Sequence, residues 1–278
     1  MASESEIVIY KGYKIHVDKN IYNPELKTAI FINGALATSS SFLIWVKHLK
    51  GKVNTILFDF PFAGKSKPLN DSLDIITKEQ EVDIINFLIR RYRPQIIMSV
   101  SWGGLGALMA ASQDTGILEM AVVGAFSMTI NEKMERYILK ARDYVHQGEF
   151  ELLANLLNDE VGKYLPRLFK KTNFRHVANL DEHEYRQACF HLDQILTLRD
   201  YDYEKFISKI SIPVIFINGE KDEYTTIKEV KTLGKYLDDA RFYTLKDAGH
   251  FLDLESKAAA LGVKSIFEEI FISQQELV

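Results

Sequence analysis

Five uninterrupted apolar runs constrain what this protein can fold into: TAIFING (28–34), NTILFDF (54–60), PQIIMSV (94–100), MAVVGAF (120–126) and PVIFING (213–219). None alternates with polar residues, so each reads as a strand buried on both faces. An opening hairpin is expected in SEIVIYKG and YKIHVD, and a last strand in ARFYTL (240–245). Helical periodicity fills 40–50, 77–92, 102–113 and 227–237. Strands alternating with helices predict an α/β fold, a mostly parallel sheet covered by helices on both faces. Residues 130–205 interrupt that rhythm with amphipathic stretches such as NEKMERYILKARDYVH and DEHEYRQACFHLDQILTL, and no convincing strand. The expected organisation is therefore a core of 1–129 and 206–278, with 130–205 inserted as a helical cap over the C-terminal edge of the sheet, where open α/β folds bind ligands.

Composition narrows the function. A sequence of 278 residues, 47% hydrophobic, can bury the core of one such domain. A formal charge of -4 gives no global reason to expect nucleic acid as partner. The single cysteine, Cys189, excludes an internal disulfide framework and a cysteine-based zinc site. The N-terminal MASESEIVIYKGYK lacks the apolar stretch of a signal peptide, and no run reaches the ~18 apolar residues of a membrane span, so a cytoplasmic protein is expected. His16, His48, His146, His176, His183 and His191 are scattered without ligand spacing. No metal and no cofactor is assigned.

The chemistry centres on IIMSVSWGGLGALMAAS (96–112), a strand breaking sharply into a small-residue helix around Ser101. The pattern approaches the nucleophile elbow G-x-S-x-G, with Ser99 in place of the first glycine. Small residues around a strand-end serine also arise from close packing alone. What favours catalysis is order: Ser101 is followed by an acid after a later strand, in INGEKDEYTT, and by His250 after the last strand, in KDAGHFLDLES. Asp222 is preferred as the acid for its Gly-x-x-Asp setting, in competition with Glu220 and Glu223. A serine hydroxyl is a poor nucleophile unless a base takes its proton, and the acid would hold that base in the right tautomer. The oxyanion would be met by the backbone N–H of Trp102 and by that of Ala35 in FINGALATSSSF, with Gly34 allowing close approach.

FDFPFAGKSKP (58–68) is similar to the D-x-P-G-x-G-x-S turn of the α/β-hydrolase superfamily, with Phe62 and Ala63 departing from it, and reads as a structural turn. Taken together, NGALATSSSF, FDFPFAGKS, SVSWGG, VGKYLP, ACFHLDQIL, INGEKDEYTT and GHFLDLESKAAA resemble the 3-(3-hydroxyalkanoyloxy)alkanoic acid synthases of rhamnolipid synthesis, a family historically named as a rhamnosyltransferase subunit. The blocks run in order from about residue 30 to about residue 260. The resemblance implies an α/β-hydrolase fold and an acyltransferase that joins two 3-hydroxyacyl groups, supplied by acyl carrier protein or coenzyme A. It places the nucleophile on Ser101, the acid on Asp222 and the base on His250, and it shares Asn33-Gly34 and Ser99. A thioesterase or carboxylesterase with the same triad is the alternative, and a non-catalytic binding protein of this fold the more distant one. Tyr137, Tyr144, Leu152, Leu153, Leu156, Leu157, Tyr164, Leu165 and Leu168 are candidates for an acyl tunnel or for plain cap packing. Lys163, Arg167, Lys170, Lys171 and Arg175 form a basic cluster on an acidic protein, a candidate docking patch for acyl carrier protein.

Overall fold

The computed structural model describes residues 2–71, 74–114, 116–197 and 203–272. The fold opens with β1 (Ala2–Tyr10) and β2 (Tyr13–Ile21), then β3 (Thr28–Ile32), α1 (Leu43–Leu49), β4 (Asn54–Phe58), α2 (Lys78–Tyr92), β5 (Ile96–Val100), α3 (Gly103–Ser112) and β6 (Met120–Gly124). Helices then follow in place of a strand: α4 (Glu132–Gln147), α5 (Phe150–Asp159), α6 (Arg167–Ala178) and α7 (Glu182–Leu196). The short α8 (Tyr203–Ile207) leads back into β7 (Val214–Gly219), α9 (Ile227–Val230), β8 (Ala240–Leu245) and α10 (Lys257–Ile272).

The sheet order is β1-β2-β4-β3-β5-β6-β7-β8. Pairing is antiparallel from β1 to β2 and β2 to β4, and parallel from β4 through β8. Every residue of β4, β6 and β7 is buried, as expected for continuous apolar runs with a helical layer on each face. One face packs Ile30, Ile32, Val123 and Phe216 with α2 and α3; the other packs Phe31, Met98, Val122 and Ile217 with Trp45 of α1 and Phe267 of α10.

Helices α4 to α7 carry an apolar cluster of their own, built on Ala141, Val145, Leu153, Ala154, Leu156, Val177 and Leu180, with Leu36 of the core packed against it. Local chemistry starts two of them sharply: at α4 the Asn131 side chain accepts from Met134 N, and at α7 Asp181 with Glu184 forms a capping box. Residues 198–202, part of the insertion expected from sequence, lie outside the described residues.

Two departures from the expected elements have plain causes. The helix expected over 227–237 is only the short α9 followed by a 3-10 turn over Lys231–Lys235, where Gly234 sits close against the Phe242 ring. The 16-residue α10 is absent from the sequence-based expectation; it follows the GHFLDLES block and fills the Trp45 face of the sheet.

Candidate active site

Ser101 follows β5 directly with φ of 51°, the left-handed region that costs an L-residue ~1–2 kcal/mol. Its surroundings hold it there. Ser101 N donates to Gly124 O at 2.8 Å and Gly104 N donates to Ser101 O at 2.8 Å. Gly103 has no room for a side chain: a Cβ there would stand 2.4 Å from Asn33 O and 2.7 Å from Ile32 O. β3, β5 and α3 thereby converge on a turn whose serine projects outward, 3.0 Å from His250 Nε2.

His250 is delivered by the loop after β8. That loop lies against the end of β7, where a Cβ on Gly219 would meet Gly249 O at 2.2 Å, and Lys221 N donates to Ala248 O at 2.8 Å. Glu255 clasps the loop from behind, accepting from Gly249 N at 2.5 Å and Phe251 N at 3.0 Å. On its other ring nitrogen, His250 Nδ1 stands 2.9 Å from Asp222 Oδ2. Asp222 is fully engaged, since Oδ1 accepts from Tyr224 N at 2.8 Å and Thr225 N at 3.0 Å while Oδ2 also accepts from Thr225 Oγ1 at 2.6 Å.

The electrostatics follow from these contacts. Burial works against the Asp222 charge, but the facing imidazole and the Thr225 donors hold its carboxyl down at about 2. Burial likewise opposes the imidazolium of His250, yet the Asp222 carboxylate outweighs it and raises the histidine above its ordinary value. The competing acids are occupied elsewhere: Glu223 pairs with Lys133 at 2.7 Å and with Lys163, and Glu220 accepts from Asp247 N at 3.0 Å.

Gly34 lets the loop after β3 pack against Ser101, since a Cβ on it would stand 3.2 Å from Ser101 Cβ. Among the described residues, neither the Ala35 nor the Trp102 backbone N–H is taken up by a protein acceptor. A cavity of about 530 Å³ opens there, walled on the core side by Gly34, Ala35, Trp102, Phe126 and His250. The inserted helices add Tyr137, Leu153 and Leu157. A smaller cavity of about 80 Å³ shares Gly34, Trp102 and His191 with it.

The tunnel candidates divide. Tyr137, Leu153 and Leu157 line the large cavity, whereas Leu156 is packed inside the helical insertion and Tyr144 against that cluster, Leu165 is buried away from the cavity, and Leu152, Tyr164 and Leu168 face solvent. Of the basic cluster, Arg167, Lys170, Lys171 and Arg175 recur along one face of α6, while Lys163 is paired with Glu223 beside the Asp222 loop. The FDFPFAGKS segment is a structural turn: Asp59 accepts from Ser39 N at 2.7 Å and Lys65 N at 2.8 Å, and Gly64 adopts φ of 45° where a Cβ would strike that carboxylate. Two supporting residues, Thr225 and Glu255, carry no signal of their own in the sequence, though both lie inside quoted blocks. Only their contacts identify them.

Comparison with known proteins follows the same lines. The family model for the alpha/beta hydrolase fold matches residues 28–256. An (R)-3-hydroxydecanoyl-ACP:CoA transacylase of Pseudomonas aeruginosa is 42% identical over 93% of this chain and 87% of its own, and one of Pseudomonas putida is 40% identical over 96% and 90%. Among solved structures, a putative lipase from Acinetobacter baumannii superposes with a TM-score of 0.78 at 15% identity, covering 99% of this chain and 93% of its own, a likeness of fold. Among the described residues no helix is long and apolar enough to cross a membrane. The protein belongs to the alpha/beta hydrolase fold family, in the acyltransferase branch that its motifs resemble.

Proposed function

We propose that the protein is a serine acyltransferase for 3-hydroxyacyl thioesters, with Ser101 as nucleophile, His250 as general base and acid, and Asp222 holding the imidazole. The observation that carries this reading is the continuous hydrogen-bonded path from Ser101 Oγ through His250 to Asp222 at the mouth of a largely apolar cavity. Ser101 Oγ attacks the thioester carbonyl while His250 Nε2 takes its proton. The developing oxyanion is met by the N–H groups of Ala35 and Trp102. His250 returns the proton to the departing thiolate, and an acyl-serine remains. In the second half His250 deprotonates the acceptor, which attacks the acyl carbonyl and regenerates Ser101.

The acceptor in this reading is the 3-hydroxyl of a second 3-hydroxyacyl thioester, giving the dimeric ester still bound as a thioester; water then cleaves that thioester, releasing the carrier thiol and the 3-(3-hydroxyalkanoyloxy)alkanoic acid. Helices α4 to α7 act as the cap that keeps water from the acyl-serine and holds the acceptor at high effective molarity. The relatives' names, which pair acyl carrier protein with coenzyme A, favour a second reading in which the coenzyme A thiol is the acceptor at the same acyl-serine. The donor is carrier-bound, docked by charge complementarity on the α6 face of Arg167, Lys170, Lys171 and Arg175, with Lys163 at its edge and Leu168 exposed beside it. Incubation with 3-hydroxydecanoyl carrier protein, with and without coenzyme A, tests the reading by mass spectrometry. The dimeric ester acid supports the first acceptor and 3-hydroxydecanoyl-CoA the second; free 3-hydroxydecanoate alone would mark the protein as a thioesterase and overturn transfer.

A further inference from the structure

The loop after β3 that carries Ala35 is anchored on two sides. On the core side Gly34 lies against the nucleophile turn, where a Cβ on it would stand 3.2 Å from Ser101 Cβ and 3.3 Å from Val100 O. On the cap side the anchor is Leu36. Its side chain packs against the apolar cluster of α4 to α7, and its carbonyl oxygen stands 3.0 Å from His176 Nε2 of α6. A carbonyl only accepts, so His176 Nε2 carries a proton and donates it. Val177, the next residue of α6, is buried in the same cluster. Ala35 is the single residue between the two anchors.

Between those anchors the backbone makes a tight turn. Ala37 N donates to Gly34 O at 3.3 Å, so Ala35 and Leu36 are the central residues. Of the two only Leu36 has a positive φ, at 54°. That is the pattern of a type II turn, which ordinarily puts glycine at this second position. A leucine there is strained by its Cβ, and such strain persists only where the surroundings over-determine it. Relaxation to a negative φ would turn over the Ala35–Leu36 peptide, as between turn types II and I, and change the shape of the turn that presents the Ala35 N–H. The two contacts from the cap, one on the Leu36 side chain and one on its carbonyl, oppose that change.

We infer that His176 is a positioning residue for the oxyanion hole: from the cap, it holds Leu36 in the left-handed conformation that presents the Ala35 N–H to the acyl carbonyl oxygen at Ser101. The inference rests on the reading of Ser101 as nucleophile and Ala35 as oxyanion donor, and adds a task for the cap beyond excluding water and holding the acceptor. The core supplies Ser101, His250, Asp222 and the Trp102 N–H, and α6 completes the hole by steadying the other donor. His176 is exposed where the two cavities meet, so its bond to Leu36 competes with water and contributes modestly.

The test compares His176→Ala, which deletes the donor, with His176→Gln, whose amide N–H reaches about as far as Nε2. Turnover of 3-hydroxydecanoyl-CoA is measured beside inhibition by an undecyl trifluoromethyl ketone, which adds to the serine and places an oxyanion in the hole. His176→Ala is expected to lower kcat roughly 5–10-fold with KM within about twofold, and to weaken the ketone by the same factor. His176→Gln is expected to restore both to within about twofold of wild type. A residue that only packs the cap, or only touches the acyl chain, would move KM and leave the ketone and kcat untied. Ketone inhibition in His176→Ala within twofold of wild type, or a His176→Gln variant no better than His176→Ala, overturns the inference. If wild-type protein turns over no acyl thioester, the proposed activity fails instead, while the ketone series still decides the role of His176.

Discussion

At the scale of single residues, order in the sequence singled out Ser101, Asp222 and His250 as candidates, and the structure brings the three within hydrogen-bonding distance, each just past the end of its own strand. The preference for Asp222 over Glu220 and Glu223 rested on the Gly-x-x-Asp spacing, and of the three it is Asp222 that stands beside His250. Asp222 is the buried one, collecting Tyr224 N, Thr225 N, Thr225 Oγ1 and His250 Nδ1, while the glutamates face a lysine pair and a backbone N–H. Ser99 illustrates the opposite limit: sequence marks it as an oddity, yet its Oγ is fully buried with no partner among the described residues, a detail no motif encodes. The raised pKa of His250 makes a pH prediction. The base works only when neutral, so kcat/KM falls as pH drops through a value above the ordinary 6.5 of imidazole. Asp222→Asn removes the charge that raises it, and the acid limb of the pH–rate profile moves down. The rate at neutral pH falls by about 10³–10⁴, by analogy with the matching change in serine proteases. An unshifted limb would mean that Asp222 does not set the histidine.

The elements that present these residues depend on approaches closer than side chains allow. Gly103 lies where β3 and α3 nearly touch, and the atoms a Cβ there would meet at 2.4 and 2.7 Å are backbone oxygens that cannot swing aside. Gly103→Ala therefore forces the elbow open; a loss of about 2–4 kcal/mol in denaturant unfolding is expected, together with loss of activity. A change below ~0.5 kcal/mol would contradict the tight β3–α3 crossing. The sheet strands and α2, α3 and α4 were readable because burial on two faces or one stripe writes a period into the sequence. The wall of the cavity was not. Leu152 and Leu153 are adjacent and chemically alike, yet only Leu153 lines the cavity, because helical phase relative to the rest of the molecule is a tertiary property. α10 escapes a sequence reading for a related reason: KAAALGVKSIFEEIFI is apolar over most of its turn, and only Trp45 and Leu245 opposite it explain that excess.

For the whole molecule, the insertion and the core share one cavity, and the basic face of α6 lies on the outside of that insertion. The carrier-docking reading belongs to this scale, since it links surface charge to delivery of an acyl group inside. Lys170→Glu with Lys171→Glu is expected to raise the KM for 3-hydroxyacyl carrier protein roughly tenfold, leave kcat within about twofold, and leave a small soluble ester unaffected. The wild-type preference should also weaken as salt rises. Equal KM for carrier-bound substrate in the variant would remove the patch from the account.

The central claim is that Ser101 carries the acyl group between donor and acceptor, and intact-protein mass spectrometry after rapid mixing with 3-hydroxydecanoyl carrier protein tests it most directly. The account predicts a mass gain of one 3-hydroxydecanoyl group, mapped to the peptide containing Ser101, absent in Ser101→Ala and discharged when acceptor is added. Product formation without any such adduct, or undiminished turnover in Ser101→Ala, would contradict it.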